Sequence, residues 1–207
     1  MKRKKIGIMG GTFDPVHNGH LVLAENARIK FNLDKILFIP TGKPPHKDNN
    51  YITSNIHRYN MTLLAINSNP YYFLSSIETQ REGITYTIDT IKYLKTKSNS
   101  TDFYFILGSD SLYQIHKWKD YEELLSLCNF IVAKRKGLDD RKLENRIKEL
   151  SQLYNSNIHI LESPLIEISS TEIRERVKNR LSIKYLVPKA VELYINKNNL
   201  YKEQDLK

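Results

Sequence analysis

Short apolar segments alternate with longer amphipathic segments along most of the chain, and this alternation constrains the fold more than any other feature. Apolar runs of strand length lie at residues 5–9, 35–40, 71–75, 102–107, 129–133 and 157–161. Segments with helical periodicity cover residues 19–31, 55–67, 87–97, 121–127 and 141–154. Strands that alternate with helices usually pair in parallel and are covered by helices on both faces. Because such sheets bind ligands beyond the carboxyl ends of their strands, the loops that follow strands are the first candidates for function.

The chain has 207 residues and is expected to form a single domain. Residues 1 to about 168 would form a Rossmann-like core, and residues from about 169 to 207 a small helical part. Ser169 and Glu172 have the spacing of a capping box, which predicts a helix over residues 170–179. Pro188 suits the first position of a last helix over residues 188–195. The expected fold class is therefore α/β, a Rossmann-like doubly wound and mostly parallel sheet with a small C-terminal helical subdomain.

The formal charge is +9 and the pI is about 9.4, which would attract polyanions, either nucleic acid or free nucleotides. A lysine-rich solvated surface explains the same numbers. The basic residues are scattered without an aromatic-interleaved stripe, so we expect no nucleic-acid partner. A basic nucleic-acid-binding domain stays open as an alternative that a steep salt dependence of binding would reveal.

Membrane and export signals are weak in this sequence. No apolar run reaches the roughly 18 residues of a membrane span, so no membrane partner is expected. The basic start at residues 1–5 is followed by too short an apolar stretch for export, and a first strand is the better interpretation. Cys128 is the only cysteine, which leaves no disulfide framework and fits a reducing cytoplasm. The sequence leaves open whether the chain forms a homo-oligomer.

The strongest motif is Gly-Gly-Thr-Phe-Asp-Pro-Val-His-Asn-Gly-His over residues 10–20, between the first strand and the first helix. Gly10 and Gly11 would let a ligand approach the backbone closely. The helix start offers unpaired N–H groups to a phosphate, and His17 and His20 would lie on the same side of its first turn. Gly19 leaves room for a flat ring. A zinc pair or two ordinary capping histidines are the alternatives, and no further histidine or cysteine cluster supports zinc.

Two motifs carry a family resemblance. Residues 11–21 resemble the signature of the nucleotidyltransferase superfamily that has a His-x-Gly-His motif, and residues 168–174 (Ile-Ser-Ser-Thr-Glu-Ile-Arg) resemble its second signature. Residues 40–47, 78–90, 107–110 and 185–188 resemble segments of bacterial nicotinate-nucleotide adenylyltransferases. Lys136, where proline is expected, and Ile84 before Thr85 depart mildly from that pattern.

The resemblance implies transfer of the adenylyl group of ATP to nicotinate mononucleotide, giving deamido-NAD and pyrophosphate. ATP and nicotinate mononucleotide are then the expected partners, and Mg²⁺ is expected with ATP, held mainly by phosphate and water. By the same resemblance, the expected catalytic residues are His17, His20 and Arg174. The expected ATP-binding residues are Gly10, Gly11, Thr12, Gly19, Ser170 and Thr171. The expected mononucleotide-binding residues are His46, Lys47, Thr85, Thr87, Asp110 and Trp118.

Each mononucleotide-side residue has an alternative interpretation. Trp118, the lone tryptophan, would stack on the nicotinate ring or pack in the core. Thr85 and Thr87 would lend backbone N–H groups to the nicotinate carboxylate, or cap the helix that starts at Thr87. Asp110 would organise the site or cap a helix. His46 and Lys47 would close over the mononucleotide phosphate or belong to a solvated loop. A different acceptor, such as nicotinamide mononucleotide, phosphopantetheine or an alcohol phosphate, and a regulatory protein that binds nucleotides without turnover, also stay open.

Overall fold

The computed structural model describes residues 3–45, 52–134, 140–162 and 167–202. The strands are β1 Lys4–Gly11, β2 Lys35–Pro40, β3 Tyr72–Leu74, β4 Thr101–Gly108, β5 Asn129–Ala133 and β6 Ile158–Leu161. The helices are α1 Asn18–Lys30, α2 Asn55–Ile66, α3 Thr87–Lys97, α4 Ser109–Tyr113, α5 Tyr121–Leu127, α6 Asp140–Tyr154, α7 Ser170–Lys178 and α8 Lys189–Lys197. No helix in this part of the chain is long and apolar enough to cross a membrane.

The six strands form one parallel sheet in the order β3-β2-β1-β4-β5-β6. The predicted α/β fold with a doubly wound parallel sheet is confirmed. The strand order reverses between β1 and β4, where Met9 pairs with Ile106. The connections that leave these two neighbours run in opposite directions across the sheet, so their carboxyl ends border a crevice, the usual ligand site of this fold.

The two faces of the sheet bury two separate apolar clusters. Successive residues of β1 point to opposite faces, so Ile8 belongs to one cluster and Met9 to the other. The cluster around Met9 is closed by α1, α2, α7 and α8, and the cluster around Ile8 is closed by α3, α5 and α6. Burying one such side chain contributes about 1.5–3 kcal/mol, so the helix packing follows from the apolar stripes of the sequence.

The C-terminal helices share the core of the sheet. Val177 of α7 and Val191 of α8 are buried in the same cluster as Phe38 of β2. Helix α7 begins as predicted, because the side chain of Ser169 accepts a hydrogen bond of 3.0 Å from the backbone of Glu172. The division of the C-terminal helices α7 and α8 from the rest of the chain as a separate subdomain stays a prediction.

Several element bounds differ from the sequence-based expectation. β1 continues to Gly11, so both motif glycines belong to the strand. β3 is reduced to three residues, and α8 begins at Lys189 with Pro188 as its N-cap. Helix α4 was not expected, because its five residues are too few to show a helical period.

Candidate active site

A cavity of about 700 Å³ opens at the carboxyl edge of the sheet, at the point where the strand order reverses. Its floor is made by the ends of β1 and β4, and its walls by the starts of α1, α3, α4 and α7. This volume lies within the range of small-molecule sites, about 300–1,000 Å³. The cavity therefore has room for a ligand of small-molecule size.

The expected site residues divide into four groups by their place in the structure. Those that line the cavity at the phosphate-motif end are Gly10, Gly11, Thr12, His17, Gly19, His20 and Ser170. The expected mononucleotide-side residues that line the same cavity are Thr85, Thr87, Asp110 and Trp118. Thr171 and Arg174 lie beside the first group but are not part of the cavity wall. His46 and Lys47 lie outside the residues that the structure describes.

Gly10 has a packing role that the sequence did not indicate. A Cβ atom at this position would lie 3.1 Å from the ring of Phe105 on the neighbouring strand β4. That distance is tighter than an ordinary van der Waals contact, so the glycine lets the aromatic ring pack directly against the end of β1. The close approach that Gly10 permits in this structure is thus between strand β1 and the ring of Phe105.

His17 and His20 stand together at the start of α1. Their rings stack with centroids 3.6 Å apart at an interplanar angle of 25°. The backbone N–H of His17, which is the N-cap residue, donates a hydrogen bond of 3.2 Å to Nδ1 of His20. Since an accepting Nδ1 carries no hydrogen, the neutral His20 ring carries its hydrogen on Nε2. The tautomer is thereby set by the helix start, and each ring can offer one N–H to a ligand.

Burial keeps both imidazoles neutral near pH 7. Desolvation lowers the pKa of His17 to about 4. The pKa of His20 is lowered by burial first and then by the neighbouring His17 ring. Two stacked imidazolium ions would repel each other, so the pair favours the neutral form on both counts. Phe13 adds an edge contact to His20, with centroids 5.1 Å apart.

The second motif is bonded directly to the first. Ser170, the first residue of α7, donates a side-chain hydrogen bond of 2.8 Å to the carbonyl of Pro15. Arg174 donates through Nη1 to the carbonyl of Asp14 at 2.8 Å and through Nη2 to Oγ1 of Thr171 at 3.3 Å. The structure thus brings together the two motifs, although they lie about 150 residues apart in the sequence. The start of α7 supplies further unpaired N–H groups at this end of the cavity.

Another part of the cavity wall is formed by the start of α3 and by Trp118. The tryptophan is half-buried and stands edge-on against Phe105, with ring centroids 5.8 Å apart at 85°. Thr87 is the first helical residue of α3, so the N–H groups of that first turn lie at this end. Asp110 lies in the first turn of α4 and also lines the cavity. An aromatic plane and a helix start are suited to a flat ring that bears an anionic group.

One suggestion about Thr85 is corrected by the structure. Its backbone N–H donates to the carbonyl of Lys43 at 3.0 Å and is therefore not available to a ligand. Its hydroxyl is buried without a well-formed hydrogen bond among the described residues, though it lies close enough to the Glu78 carboxylate to lower the pKa of that acid. The net shift for Glu78 is upward, because burial outweighs the nearby hydrogen bonds. Thr85 therefore offers no free backbone N–H to a ligand, and its buried hydroxyl lies beside the Glu78 carboxylate.

Three buried polar residues of the site were missed by the sequence reasoning. Arg58, Glu78 and Asp14 are all less than a tenth exposed. Glu78 accepts a hydrogen bond of 2.8 Å from Thr90, and Asp14 accepts one of 2.7 Å from Tyr201. The available signal for Arg58 was its place on the apolar stripe of α2, in register with Met61, Thr62 and Ala65. An arginine on a buried stripe needs hydrogen-bond partners, so it points to a polar framework.

The fold and the cavity define a nucleotide-binding α/β protein of the nucleotidyltransferase class. In agreement, residues 8–176 match the family model described as cytidylyltransferase-like. A curated relative from Thermoanaerobacter sp. (strain X514), described as a probable nicotinate-nucleotide adenylyltransferase, is 48% identical over 97% of this chain and 96% of its own length. A relative of the same description from Moorella thermoacetica is 48% identical over 96% of this chain and 92% of its own. The chain belongs to the nicotinate-nucleotide adenylyltransferase family.

Solved structures agree with this assignment. Nicotinic acid mononucleotide adenylyltransferase of Plasmodium falciparum, complexed with NaAD, superposes with a TM-score of 0.79 at 27% identity and covers 96% of this chain and 97% of its own. The same enzyme complexed with APC superposes with a TM-score of 0.78 at 26% identity. The predicted family, inferred from residues 11–21 and 168–174, is confirmed.

Proposed function

We propose that this chain transfers the adenylyl group of ATP to nicotinate mononucleotide, releasing deamido-NAD and pyrophosphate. The observation that carries the proposal is one cavity whose wall combines two unlike sets of residues. One set contains His17, His20 and the start of α7, and the other contains Trp118 and the start of α3. The Plasmodium relative was solved in complex with NaAD, the dinucleotide product proposed here. A site that binds both nucleotides at once can bring their phosphates into contact.

The proposed reaction needs little general acid–base catalysis. The attacking oxygen belongs to the phosphate of the mononucleotide, which is already ionised at neutral pH. It forms a bond to the α-phosphorus of ATP while the bond from that phosphorus to the pyrophosphate oxygen breaks. The protein has to align the reacting atoms and stabilise negative charge on the departing group. Neutral imidazole donors and helix starts serve this purpose without needing to change protonation state.

At the phosphate end we assign the following roles. His17 and His20 donate N–H groups to the phosphates of ATP, and their low pKa values keep them as neutral donors. Gly10, Gly11, Thr12 and Gly19 shape the backbone around the nucleotide. Ser170 and Thr171 lie at the α7 start, next to the β- and γ-phosphates. Arg174 holds the Asp14 carbonyl in the structure, and its charge lies on the side where pyrophosphate would leave.

At the other end we assign recognition of the mononucleotide. Trp118 offers its face to the nicotinate ring, since its edge already contacts Phe105. We assign the first turn of α3 at Thr87 to binding of the carboxylate, and Thr85 to the wall of the pocket beside it. Asp110 is assigned to hydrogen bonding within the site. His46 and Lys47 stay predicted contacts of the mononucleotide phosphate.

Mg²⁺ enters this account as part of the MgATP substrate. Mg²⁺ prefers six oxygen ligands in octahedral geometry and keeps several waters. The ATP phosphates and water can therefore supply most of its ligands. Within the described ranges no group of three or more histidine, cysteine or acidic side chains is arranged to hold a metal ion. We also propose that the enzyme works in the cytoplasm without a nucleic-acid partner, and that any homo-oligomer leaves the cavity mouth open to both nucleotides.

The direct test of the acceptor is a comparison of substrates. Purified protein is mixed with ATP, Mg²⁺ and, in turn, nicotinate mononucleotide, nicotinamide mononucleotide or phosphopantetheine, and pyrophosphate release is followed. We expect nicotinate mononucleotide to give much the highest kcat/KM, because only its ring carries the carboxylate that a helix start binds. Equal rates with the nicotinamide compound would overturn the acceptor assignment and leave the adenylyl transfer itself standing.

A further inference from the structure

Arg58 lies on α2 with a fully buried side chain, which is rare for arginine. Its guanidinium donates to three backbone carbonyls: Nε to Thr53 at 2.9 Å, Nη1 to Thr12 at 2.7 Å and Nη2 to Gly42 at 2.9 Å. Nη2 also donates to Oδ1 of Asn55 at 2.5 Å. One planar group therefore fixes three separate points of the backbone.

Two of these three residues also lie next to buried carboxylates. The N–H of Thr53 donates to Oδ2 of Asp14 at 3.2 Å, while the Thr53 carbonyl accepts from Arg58. The N–H of Gly42 lies close enough to the Glu78 carboxylate to lower the pKa of that acid, while the Gly42 carbonyl accepts from Arg58. The described contacts include no direct ion pair between Arg58 and either acid. Burial lowers the pKa of Arg58, and the charges of Asp14 and Glu78 act against that shift.

These points belong to two neighbouring loops, which follow the paired strands β1 and β2. The backbone N–H of Thr41 also donates to the carbonyl of Gly11 at 2.8 Å. Thr12 lines the cavity together with the two histidines. Gly42 packs so tightly against Thr85, which also lines the cavity, that a Cβ atom on Gly42 would lie 2.9 Å from Cγ2 of Thr85 and would collide with the carbonyl of Glu78. The donors of Arg58 reach both loops.

We propose that Arg58 is a positioning residue that holds the loop after β1, next to the histidines, in a fixed position relative to the loop after β2, which packs on Thr85. The proposal deepens the proposed function and rests on it, because the relative position of the two sites matters only if two nucleotides react. Arg58 touches neither nucleotide; it acts through the carbonyls of Thr12 and Gly42. A guanidinium can serve three carbonyls because its five N–H donors are fixed in one plane, whereas a lysine ammonium is a point with three donors.

The test uses Arg58→Lys, which retains the charge, and Ala65→Gly as the matched control. Ala65 lies on the same helix, is buried and takes no part in these bonds, so the glycine lowers the stability of α2 without altering the loops. We expect Arg58→Lys to lower kcat by about 10- to 100-fold, because a misplacement near 1 Å costs about 100-fold. Affinities for each nucleotide alone, measured by calorimetry, should change by less than about threefold. The control should keep its kcat despite a similar loss in melting temperature.

A second readout does not depend on turnover. Hydrogen exchange at the amides of Gly42 and Thr53 should be faster in Arg58→Lys than in the parent, and unchanged in Ala65→Gly. Unchanged exchange and unchanged kcat in Arg58→Lys would overturn the positioning role, while a parent protein that makes no dinucleotide would instead overturn the proposed function. Equal loss of kcat in the control would also overturn the role.

Asn55→Ala covers the case in which Arg58→Lys does not fold. This variant removes the one side-chain acceptor of the guanidinium and leaves Arg58 in place. We expect a loss of kcat smaller than that of Arg58→Lys, with faster exchange at Gly42. A parent-like kcat in Asn55→Ala, together with an unfolded Arg58→Lys, would mean that Arg58 serves folding alone and would contradict the proposal.

Discussion

The hydroxyl of Tyr201 donates a hydrogen bond of 2.7 Å to Oδ1 of Asp14, 187 residues earlier in the chain. The segment after α8 is thereby fastened to the loop that carries the first motif. Burial, and then the nearby Asp14 carboxylate, raise the pKa of Tyr201, so the phenol is a hydrogen-bond donor near neutral pH. Tyr201 is therefore a structural support of the loop that carries the first motif.

Replacing this phenol should weaken the fold. Tyr201→Phe leaves a buried carboxylate oxygen without its donor, which costs about 1–3 kcal/mol in the free energy of unfolding. Tyr185→Phe is the control, because Tyr185 is 78% exposed. Urea unfolding of both variants measures the difference, and equal stability of the two would show that the bond to Asp14 contributes nothing.

The histidine pair predicts a pH dependence of stability. His17 has a pKa of about 4 in the folded protein and an ordinary value near 6.5 when unfolded. Below pH 6.5 the unfolded state binds more protons, so stability falls as the pH drops from 6.5 towards 4, by up to about 3 kcal/mol from His17. His17→Gln should flatten this slope in part, with the slope from His20 remaining.

The comparison for that prediction is His116→Gln, because His116 is exposed. Urea unfolding at several pH values between 4.5 and 7.5 should give the control the same slope as the parent. If His17→Gln also kept the parent slope, the imidazole would not be held neutral by burial.

Trp118 offers a spectroscopic test, since it is the only tryptophan in the chain. Its fluorescence should be quenched when nicotinate mononucleotide is added and should change little with an ATP analogue, because a stacked ring contacts the indole directly. Trp118→Ala should raise the KM for the mononucleotide by about 10- to 100-fold, the cost of a lost stacking contact, and leave the KM for ATP near its parent value. Quenching by the ATP analogue alone would mean that Trp118 contacts ATP and not the mononucleotide, which would contradict the assignment.

Cys128 should be inert in the folded protein. Its thiol is buried, and desolvation raises its pKa to about 12, so almost no thiolate forms at pH 8. We expect an aromatic disulfide reagent to react only as fast as the protein unfolds, and to react at once in urea. Rapid reaction of the native protein, with full retention of its circular dichroism, would contradict the burial.

The sheet was predictable because its strands are short apolar runs separated by helical segments. The strands around Ile8 and Phe130 are buried on both faces, and such strands appear in a sequence as continuous apolar segments. The part of the site that is formed by the first motif was predictable because it is local in the sequence. The end of a strand, a turn and the start of a helix all lie within residues 10–20.

The polar framework was not predictable, because it depends on contacts between distant segments. Nothing local to Asp14 indicates that its carboxylate meets Tyr201, and nothing local to Arg58 indicates that its donors reach Thr12 and Gly42. The prediction that the Thr85 backbone N–H is available to a ligand was wrong for the same reason. Its hydrogen-bond partner, Lys43, belongs to a loop more than 40 residues away.

The central claim is that one cavity holds two nucleotides with their phosphates in contact. The most direct measurement uses ATP labelled at the α-phosphorus and follows the label by chromatography after incubation with nicotinate mononucleotide, Mg²⁺ and the purified chain. We predict that the label enters a dinucleotide in proportion to the pyrophosphate released. Label that appears as AMP, or that remains in ATP while both nucleotides are bound, would contradict the account.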